Sequence, residues 1–253
     1  MGMRAAEAEA DTAENEYMKS FRTRRQAHLH LNHIRVRCLM LSPEELVRVR
    51  AARLYDPPDY FRPLHKTEIF SASPERPDAP LEIDVGCGDG GFLLDLAAAH
   101  PERDFLGLEK LLGRARKVVR QAARRGLTNV KALQIDSPYA VRHLLPPGGI
   151  SRLHLLFPDP WPKAKHAKNR LVQPAFCQDV HRLLRPGGEW LFKTDHPEYF
   201  AEAVATIQAS GLFTATSWPA DGFPYPLTDF ERQWLAEGKT IQSARFTTTS
   251  QPL

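Results

Sequence analysis

From residue 81 onward, short apolar segments alternate with longer segments in which apolar residues recur at helical spacing. Strands are predicted at residues 81–85, 104–108, 130–135, 153–157, 189–194, 213–218 and 240–248. Helices are predicted at residues 92–99, 111–125, 139–145, 174–184 and 199–210. Strands alternating with helices of about ten residues are typical of a parallel sheet covered by helices on both faces. The alternation predicts an α/β fold, with a long loop between the last two strands.

The 253-residue chain divides into three regions of different composition. Residues 1–16 are acidic, polar and rich in alanine, and we expect them to be disordered. Residues 17–80 are predicted to form a basic N-terminal extension that ends in a proline-containing linker. Residues 81–253 are predicted to form the α/β domain.

Cysteine content and hydropathy exclude several protein classes. The three cysteines, Cys38, Cys87 and Cys177, are too few and too far apart for a disulfide framework or a cysteine-pair zinc site. No apolar run approaches the roughly 18–20 residues of a membrane helix, and the N-terminus has the wrong charge for a signal peptide. We therefore expect a cytoplasmic protein that is not embedded in a membrane.

Basic residues are clustered, although the net charge is only +4. Residues 110–125 contain seven basic side chains and no acid, and residues 161–178 contain four and no acid. Such clusters on an otherwise balanced chain indicate a polyanionic partner. The alternative is an ordinary solvated helix face, and charge alone does not decide between the two.

A glycine turn spans residues 84–91 between the first strand and the first helix of the domain. Glycines allow a tight turn and close approach of the backbone to a ligand at the N-terminus of the helix. Gly86, Gly88 and Gly91 match the dinucleotide fingerprint, whereas Asp84 followed by Gly86, Gly88 and Gly90 resembles an S-adenosylmethionine (SAM) loop. Glu109 ends the next strand, where it can accept ribose hydroxyls of either ligand.

The segment Phe157-Pro158-Asp159-Pro160-Trp161-Pro162-Lys163 follows the fourth strand. Ligands of open α/β sheets bind outside the carboxyl ends of the strands, so we expect this segment at the ligand crevice. Alternating prolines predict a stiff, extended loop that presents Asp159, Trp161 and Lys163. Asp159 can accept hydrogen bonds from a guanine edge, Lys163 can reach a phosphate or O6, and Trp161 is expected to pack beneath the loop.

Taken together, these residues resemble the tRNA (guanine-N7-)-methyltransferases over about residues 80–248. The string from Phe157 to Arg170 is similar to the hallmark of that family. Phe192-Lys193-Thr194-Asp195 and Thr228-Asp229-Phe230-Glu231 match two further family segments. The resemblance implies a Rossmann-like class I methyltransferase fold, with a mostly parallel seven-stranded sheet and an antiparallel last strand.

The resemblance also implies roles for individual residues. It makes Asp159 the catalytic residue. It places SAM against Asp84, Gly86, Gly88, Gly90, Glu109, Asp136 and Asp159. It assigns the target nucleotide to Lys163, Asp195, Thr228, Asp229, Phe230 and Glu231. It assigns RNA contact to Lys165, His166, Lys168 and Arg170. The implied substrate is the guanine at position 46 in the variable loop of tRNA, and no metal is expected.

The chain departs from the family pattern at several positions. Asp84 stands where the family often has Glu, although Glu82 lies two residues earlier. Ala167 and Asn169 replace residues that are more often basic, which predicts weaker RNA contact there. The extension at residues 17–75 matches no family feature.

Three other functions compete with this interpretation. An adenine or cytosine amino-group methyltransferase has an Asp/Asn-Pro-Pro-aromatic loop at this place, a pattern that Asp159-Pro160-Trp161 interrupts. An NAD-dependent oxidoreductase lacks an identifiable hydride-transfer acid or base here, and a non-catalytic RNA-binding subunit would bind SAM without turnover. No protein partner is required by the sequence, and a monomer or a homodimer is compatible with it.

Overall fold

The structure is a computed structural model that describes residues 54–71, 76–218 and 225–249. Within these ranges the strands are β1 (Leu81–Val85), β2 (Asp104–Glu109), β3 (Val130–Gln134), β4 (Ile150–Leu156), β5 (Leu184–Thr194), β6 (Phe213–Thr216) and β7 (Gln242–Thr248). The helices are α1 (Lys66–Ile69), α2 (Gly91–Ala99), α3 (Leu112–Arg124), α4 (Ser137–Tyr139), α5 (Pro174–Leu183), α6 (Pro197–Ala209) and α7 (Asp229–Ala236). A π-helical turn at Ala140–Leu144 continues α4, and a 3-10 helix spans Ala164–Asn169.

The strands form one sheet in the order β3-β2-β1-β4-β5-β7-β6. The pairs β3-β2, β2-β1, β1-β4 and β4-β5 are parallel, whereas β7 runs antiparallel to both β5 and β6. The predicted fold class, a mostly parallel seven-stranded sheet with an antiparallel last strand, is confirmed.

Helices cover both faces of this sheet, and its central strands are therefore buried on both sides. Every residue of β1 and of β2 is buried, as expected for inner parallel strands. One apolar cluster joins α2 and α3 to the sheet, including Phe92, Leu96 and Val118. The other cluster includes Val180 of α5 and Ile207 of α6. No helix in the described ranges is both long and apolar enough to span a membrane.

Two differences from the sequence-based prediction concern α7 and β5. The long loop expected before β7 contains helix α7, which begins with a capping box between Thr228 and Glu231. Strand β5 begins at Leu184 rather than at residue 189, and its pairing with β4 is irregular between Ile150 and Arg152. The irregularity accommodates the Pro-Gly-Gly turn at residues 186–188 within the strand.

Part of the predicted extension packs against the domain. The Tyr55 amide donates to the carbonyl of Ala132 in β3 at 2.9 Å, and the Leu64 amide donates to the carbonyl of Leu144 at 2.7 Å. Leu64 is fully buried in the main core cluster. The predicted acidic tail at residues 1–16 and the extension up to residue 53 lie outside the described residues, as do residues 72–75 of the linker.

Buried ion pairs cross the sheet from β1 to β7. Glu82 accepts from Arg152 Nη1 at 3.2 Å and pairs with His154 Nε2 at 2.8 Å. Arg152 Nε donates to Glu189 at 2.6 Å, and Arg245 of β7 also pairs with Glu189. Burial lowers the pKa of His154, which favours the neutral ring. Because the Glu82 carboxylate can only accept, Nε2 is the nitrogen that carries the proton in this hydrogen bond. Burial opposes ionisation of Glu82, but the hydrogen bond from His154 and the nearby arginines lower the Glu82 pKa.

A His154→Gln variant tests the neutral imidazole. Because the folded chain holds His154 neutral, the unfolded chain binds a proton more readily, and stability contributed by this residue is lost as pH falls below about 6.5. This component of the pH dependence should disappear in His154→Gln, and the free energy of unfolding should fall by about 1 kcal/mol at neutral pH. Denaturant unfolding between pH 5 and 8 measures both effects, and identical pH slopes for the two proteins would contradict the neutral ring.

Candidate functional site

A cavity of about 520 Å³ lies at the carboxyl ends of β1 and β4. These strands are parallel neighbours, so the segments that follow them meet at the edge where open α/β sheets bind ligands. The lining comes from the glycine turn, the starts of α2 and α3, the end of β4, the proline-rich loop and α7: Asp84, Gly86, Cys87, Gly88, Asp89, Gly90, Gly91, Phe92, Arg114, Leu156, Phe157, Asp159, Thr228, Asp229, Phe230 and Gln233.

The glycine turn has a backbone that other residues adopt only with strain. Gly86, Gly88 and Gly90 have φ angles of 80°, 57° and 82°. At Gly90 an added Cβ would also lie 2.7 Å from a Val118 methyl of α3. At Gly86 and Gly88 an added Cβ would meet nothing within 4 Å, so these glycines leave space in the cavity beside the backbone. The turn thus provides an exposed backbone cradle ahead of the N-terminus of α2.

Glu109 fixes this turn from the end of β2. One carboxylate oxygen accepts from the Gly88 amide at 3.0 Å, and the other accepts from the Leu111 amide at 2.7 Å. Each carboxylate oxygen can accept a second hydrogen bond. Glu109 therefore positions the turn and keeps acceptor capacity for a hydroxyl-bearing ligand, although it does not line the cavity itself.

Asp84 brings a buried carboxyl group to the cavity. It is the fourth residue of β1 and only 4% exposed. Burial, with a smaller contribution from the negative charge of Glu109, raises the pKa of Asp84 to about 7. A cationic ligand beside Asp84 would reverse this effect by favouring the ionised carboxylate.

The proline-rich loop is turned rather than extended, in contrast to the prediction. Phe157 and Trp161 have φ angles of 52° and 41°, and each directly precedes a proline. Bulky residues rarely adopt this conformation, which costs about 1–3 kcal/mol per residue and is concentrated at functional sites. Asp159 lies between them, exposed and on the cavity wall. Its Oδ1 accepts from the Trp161 amide at 3.1 Å, which fixes the carboxylate in the turn.

Arg170 anchors this loop from below. Its Nε donates to the Pro160 carbonyl at 2.9 Å, its guanidinium pairs with Glu202, and it lies 5.3 Å from the centroid of the Tyr199 ring. Arg170 is only 7% exposed. In this structure the Arg170 side chain holds the loop against α6, and its predicted contact with RNA stays a prediction.

Helix α7 closes one side of the cavity. Thr228 Oγ1 accepts from the Glu231 amide at 2.9 Å, and the Glu231 carboxylate pairs with Lys193 Nζ at 2.6 Å. Glu231 is buried and its carboxylate forms this internal pair, and its predicted contact with the target nucleotide stays a prediction. Phe230, which is 52% exposed, lines the cavity and lies near Phe157.

Comparison with known proteins shows the family of the chain. Residues 78–244 match the sequence profile of a family described as "Putative methyltransferase". The tRNA (guanine-N(7)-)-methyltransferase of Halorhodospira halophila is 37% identical over 167 residues, which cover 64% of this chain and 72% of the relative. The chain belongs to the tRNA (guanine-N7-)-methyltransferase family.

Two other relatives of the same name extend the comparison. The protein of Cutibacterium acnes is 35% identical, with 64% of this chain and 61% of the relative covered. The protein of Thermus thermophilus is 33% identical, with 67% of this chain and 54% of the relative covered. The chain therefore spans between about half and three quarters of the length of these relatives.

Solved methyltransferase structures share the fold. The antibiotic-resistance methyltransferase Kmr superposes with a TM-score of 0.52 at 21% identity, covering 75% of this chain and 99% of that one. The 16S rRNA methyltransferase KamB gives a TM-score of 0.52 at 20% identity, covering 76% of this chain and 99% of that one. At this identity the likeness concerns the fold alone.

In this family member, the predicted site residues fall into two groups. Those that line the cavity are Asp84, Gly86, Gly88, Gly90, Asp159, Thr228, Asp229 and Phe230. Those that do not are Glu109, Asp136, Lys163, Asp195 and Glu231, together with Lys165, His166, Lys168 and Arg170. Asp136 follows β3 and pairs with Lys110 at 3.3 Å. Lys163, Lys165 and Lys168 are exposed on the surface beyond the loop.

Sequence analysis missed the aromatic cluster beside the cavity. The Tyr225 hydroxyl lies 2.7 Å from His154 Nδ1, and its ring packs against Phe92 and Trp218. Lys193 Nζ lies about 5 Å from the centroids of both the Tyr225 and Trp218 rings. The sequence offers one weak signal for this cluster: its residues lie in or near the segments Phe192–Asp195 and Thr228–Glu231, which match the family. Among the described residues, no cluster of His, Cys, Asp or Glu is arranged to hold a metal ion.

Gly90→Ala tests the steric demand of the glycine turn. The substitution introduces both left-handed strain and a contact with Val118, whereas Gly126→Ala introduces the same strain at φ 71° in open space. We expect Gly126→Ala to lower the free energy of unfolding by about 1–2 kcal/mol and Gly90→Ala by at least about 1 kcal/mol more. Denaturant unfolding of both variants measures the difference, and equal losses would show that Val118 moves aside without cost.

Proposed function

We propose that this chain transfers the methyl group of SAM to N7 of a guanine in tRNA and so forms 7-methylguanosine. The observation that carries the proposal is that Asp159, on its strained loop, opens onto the same cavity as the glycine turn and Asp84. The family relationship supports tRNA as the substrate, since three relatives carry the name of this reaction. The guanine at position 46 of the variable loop is the target we propose.

The cavity suits SAM in size and in chemistry. Its volume of about 520 Å³ lies within the roughly 300–1,000 Å³ of typical ligand sites. Gly86 and Gly88 leave room for a ligand against the backbone, and Asp84 can accept a hydrogen bond from an ammonium group. Glu109 retains capacity for ribose hydroxyls at the end of β2. When bound, SAM supplies a methyl group that its sulfonium has already activated, and no metal is needed.

Guanine N7 carries an in-plane lone pair and no proton, so no base is needed to create the nucleophile. The protein then contributes mainly by alignment, for which intramolecular models give about 7–11 kcal/mol in the best cases. We propose that Asp159 orients the guanine and balances its developing positive charge. The hydrogen bond from the Trp161 amide holds one oxygen of this carboxylate, and the other oxygen can accept from the guanine.

The target base must leave its stack to reach Asp159. Phe230 offers an exposed aromatic face in the cavity, and base–aromatic stacking contributes about 1–3 kcal/mol. We propose that Phe230, with Thr228 and Asp229, contacts the target nucleotide, and that Lys163 and Asp195 contact it from the rim. Lys165, His166 and Lys168 would contact the RNA backbone. We further propose that the enzyme acts in the cytoplasm, as a monomer or a homodimer, and without a partner protein.

An Asp159→Asn variant tests the proposed reaction. The full chain is incubated with labelled SAM and unmodified tRNA, and the tRNA is digested to nucleosides. We expect 7-methylguanosine from the wild-type protein and a loss of kcat of about a hundredfold or more in Asp159→Asn, because the asparagine lacks the balancing charge. Asp78→Asn, at an exposed position before β1, is the matched control and should be unchanged.

Three outcomes of this assay would contradict the proposal. A methylated amino group of adenine or cytosine would identify a different methyltransferase. SAM binding with no turnover on any tRNA would favour a binding subunit. Undiminished turnover in Asp159→Asn would remove Asp159 from the reaction.

The buried Asp84 carboxyl predicts pH-dependent binding of SAM. Because the pKa of Asp84 is about 7 before binding, and the cationic ligand favours the carboxylate, SAM affinity should rise as pH rises from 6 to 8. The expected gain is on the order of tenfold, set by the change in the ionised fraction. Calorimetry of wild-type and Asp84→Asn proteins separates this effect from titration of the ligand. A wild-type affinity that varies no more with pH than that of the variant would contradict the assignment.

A further inference from the structure

Helix α3 presents a continuous basic face that the proposed reaction does not use. Ala115, Val118, Val119 and Ala122 form its buried side. On the opposite side Arg116, Arg120 and Arg124 are exposed and follow one another at four-residue spacing. The side chains of Lys117, Arg120, Gln121, Arg124 and Arg125 line a surface depression of about 510 Å³.

Helix α3 also contributes to the site. Arg114, near the first turn of α3, lines the cavity that contains Asp84 and Asp159. From Arg114 to Arg124 the helix rises about 15 Å, at about 1.5 Å per residue. A polymer whose base enters the cavity would therefore have its backbone within reach of the helix.

Half of the six basic side chains from Arg114 to Arg125 are not neutralised by the described residues. Asp89 lies 2.6 Å from Lys117 and 4.0 Å from Arg114, and Asp95 lies 2.6 Å from Arg125. No ion pair within 4 Å involves Arg116, Arg120 or Arg124 among the described parts of the chain. These three side chains are the part of the face available to an anionic partner.

Folding stability does not account for this arrangement. Like charges at four-residue spacing destabilise a helix. Helix α3 contains no acidic residue that would offset this repulsion. A local rule broken without a structural gain indicates a functional constraint.

We infer that the exposed face of α3, formed by Arg116, Arg120 and Arg124, binds the phosphate backbone of the RNA substrate and guides it to the cavity. The inference rests on the proposed function, because it takes RNA as the substrate. An RNA partner fits better than an anionic membrane, since the proposed substrate is RNA and the same helix contributes Arg114 to the cavity that a base must enter. These contacts position the RNA without reading its sequence.

The test compares the full-length wild-type protein with an Arg116→Gln/Arg120→Gln/Arg124→Gln variant. Each phosphate contact contributes about 0.7–0.9 to the slope of log affinity against log salt, so the slope for unmodified tRNA should fall by about 2–3 in the variant. KM for tRNA should rise by at least about tenfold, while kcat and the Kd for SAM stay unchanged. The unfolding midpoint should stay equal or rise, because repulsion along the helix has been removed.

Arg185→Gln is the matched control. Arg185 is exposed and precedes the parallel part of β5, so it lies at the opposite edge of the sheet from the cavity. Its removal should leave the salt slope and KM unchanged. An equal effect of Arg185→Gln would show that general surface charge, rather than the face of α3, attracts the RNA.

Two results would overturn the inference. In the first, the triple variant keeps the wild-type salt slope and the wild-type KM for tRNA. In the second, the wild-type protein binds phosphatidylserine vesicles, and the triple variant loses that binding while its tRNA binding is unchanged. Failure of the proposed function looks different. If the wild-type protein binds tRNA without methylating it, and the slope of log affinity against log salt is still smaller in the triple variant, the proposed methyl transfer is refuted and the RNA-binding face stands.

Discussion

The parallel pairing of β1 and β4 is the constraint on which the site depends. Because the two strands are neighbours and run in the same direction, the glycine turn after β1 and the proline-rich loop after β4 meet over one cavity. Neither segment forms a site alone, since the turn offers backbone amides and space while the loop offers the Asp159 carboxylate. The sheet order thus brings together the predicted cofactor residues and the predicted reacting residue.

The two segments hold unusual backbone conformations in different ways. The turn relies on glycines with positive φ and on the Glu109 carboxylate, which accepts from the Gly88 amide at 3.0 Å. The loop places Phe157 and Trp161 in the left-handed region and is held by Arg170 from below. Such strain persists only where the surrounding structure over-determines it. The anchoring role explains why an arginine of a basic run is buried.

The sequence predicted the fold well because inner parallel strands appear as short apolar runs separated by helices. It also predicted that the segments after β1 and β4 lie at the ligand-binding edge of the sheet, because ligands of open α/β sheets bind outside the carboxyl ends of the strands. Helix α7 carries the Thr-x-x-Glu capping signature at Thr228 and Glu231, but the family resemblance assigns these residues to substrate contact and so does not predict a helix there. The burial of Arg170 and the turned loop depend on tertiary contacts that no local pattern reveals.

A crystal structure of the chain with bound SAM or its demethylated product tests the central claim most directly. The account predicts the ligand in the cavity against Gly86 and Gly88, with its amino group within hydrogen-bond distance of Asp84 and its ribose facing the end of β2. The sulfur should point toward Asp159 and the proline-rich loop. A ligand bound elsewhere on the sheet edge, or with its sulfur turned away from Asp159, would contradict the assignment of this cavity as the methyl-transfer site.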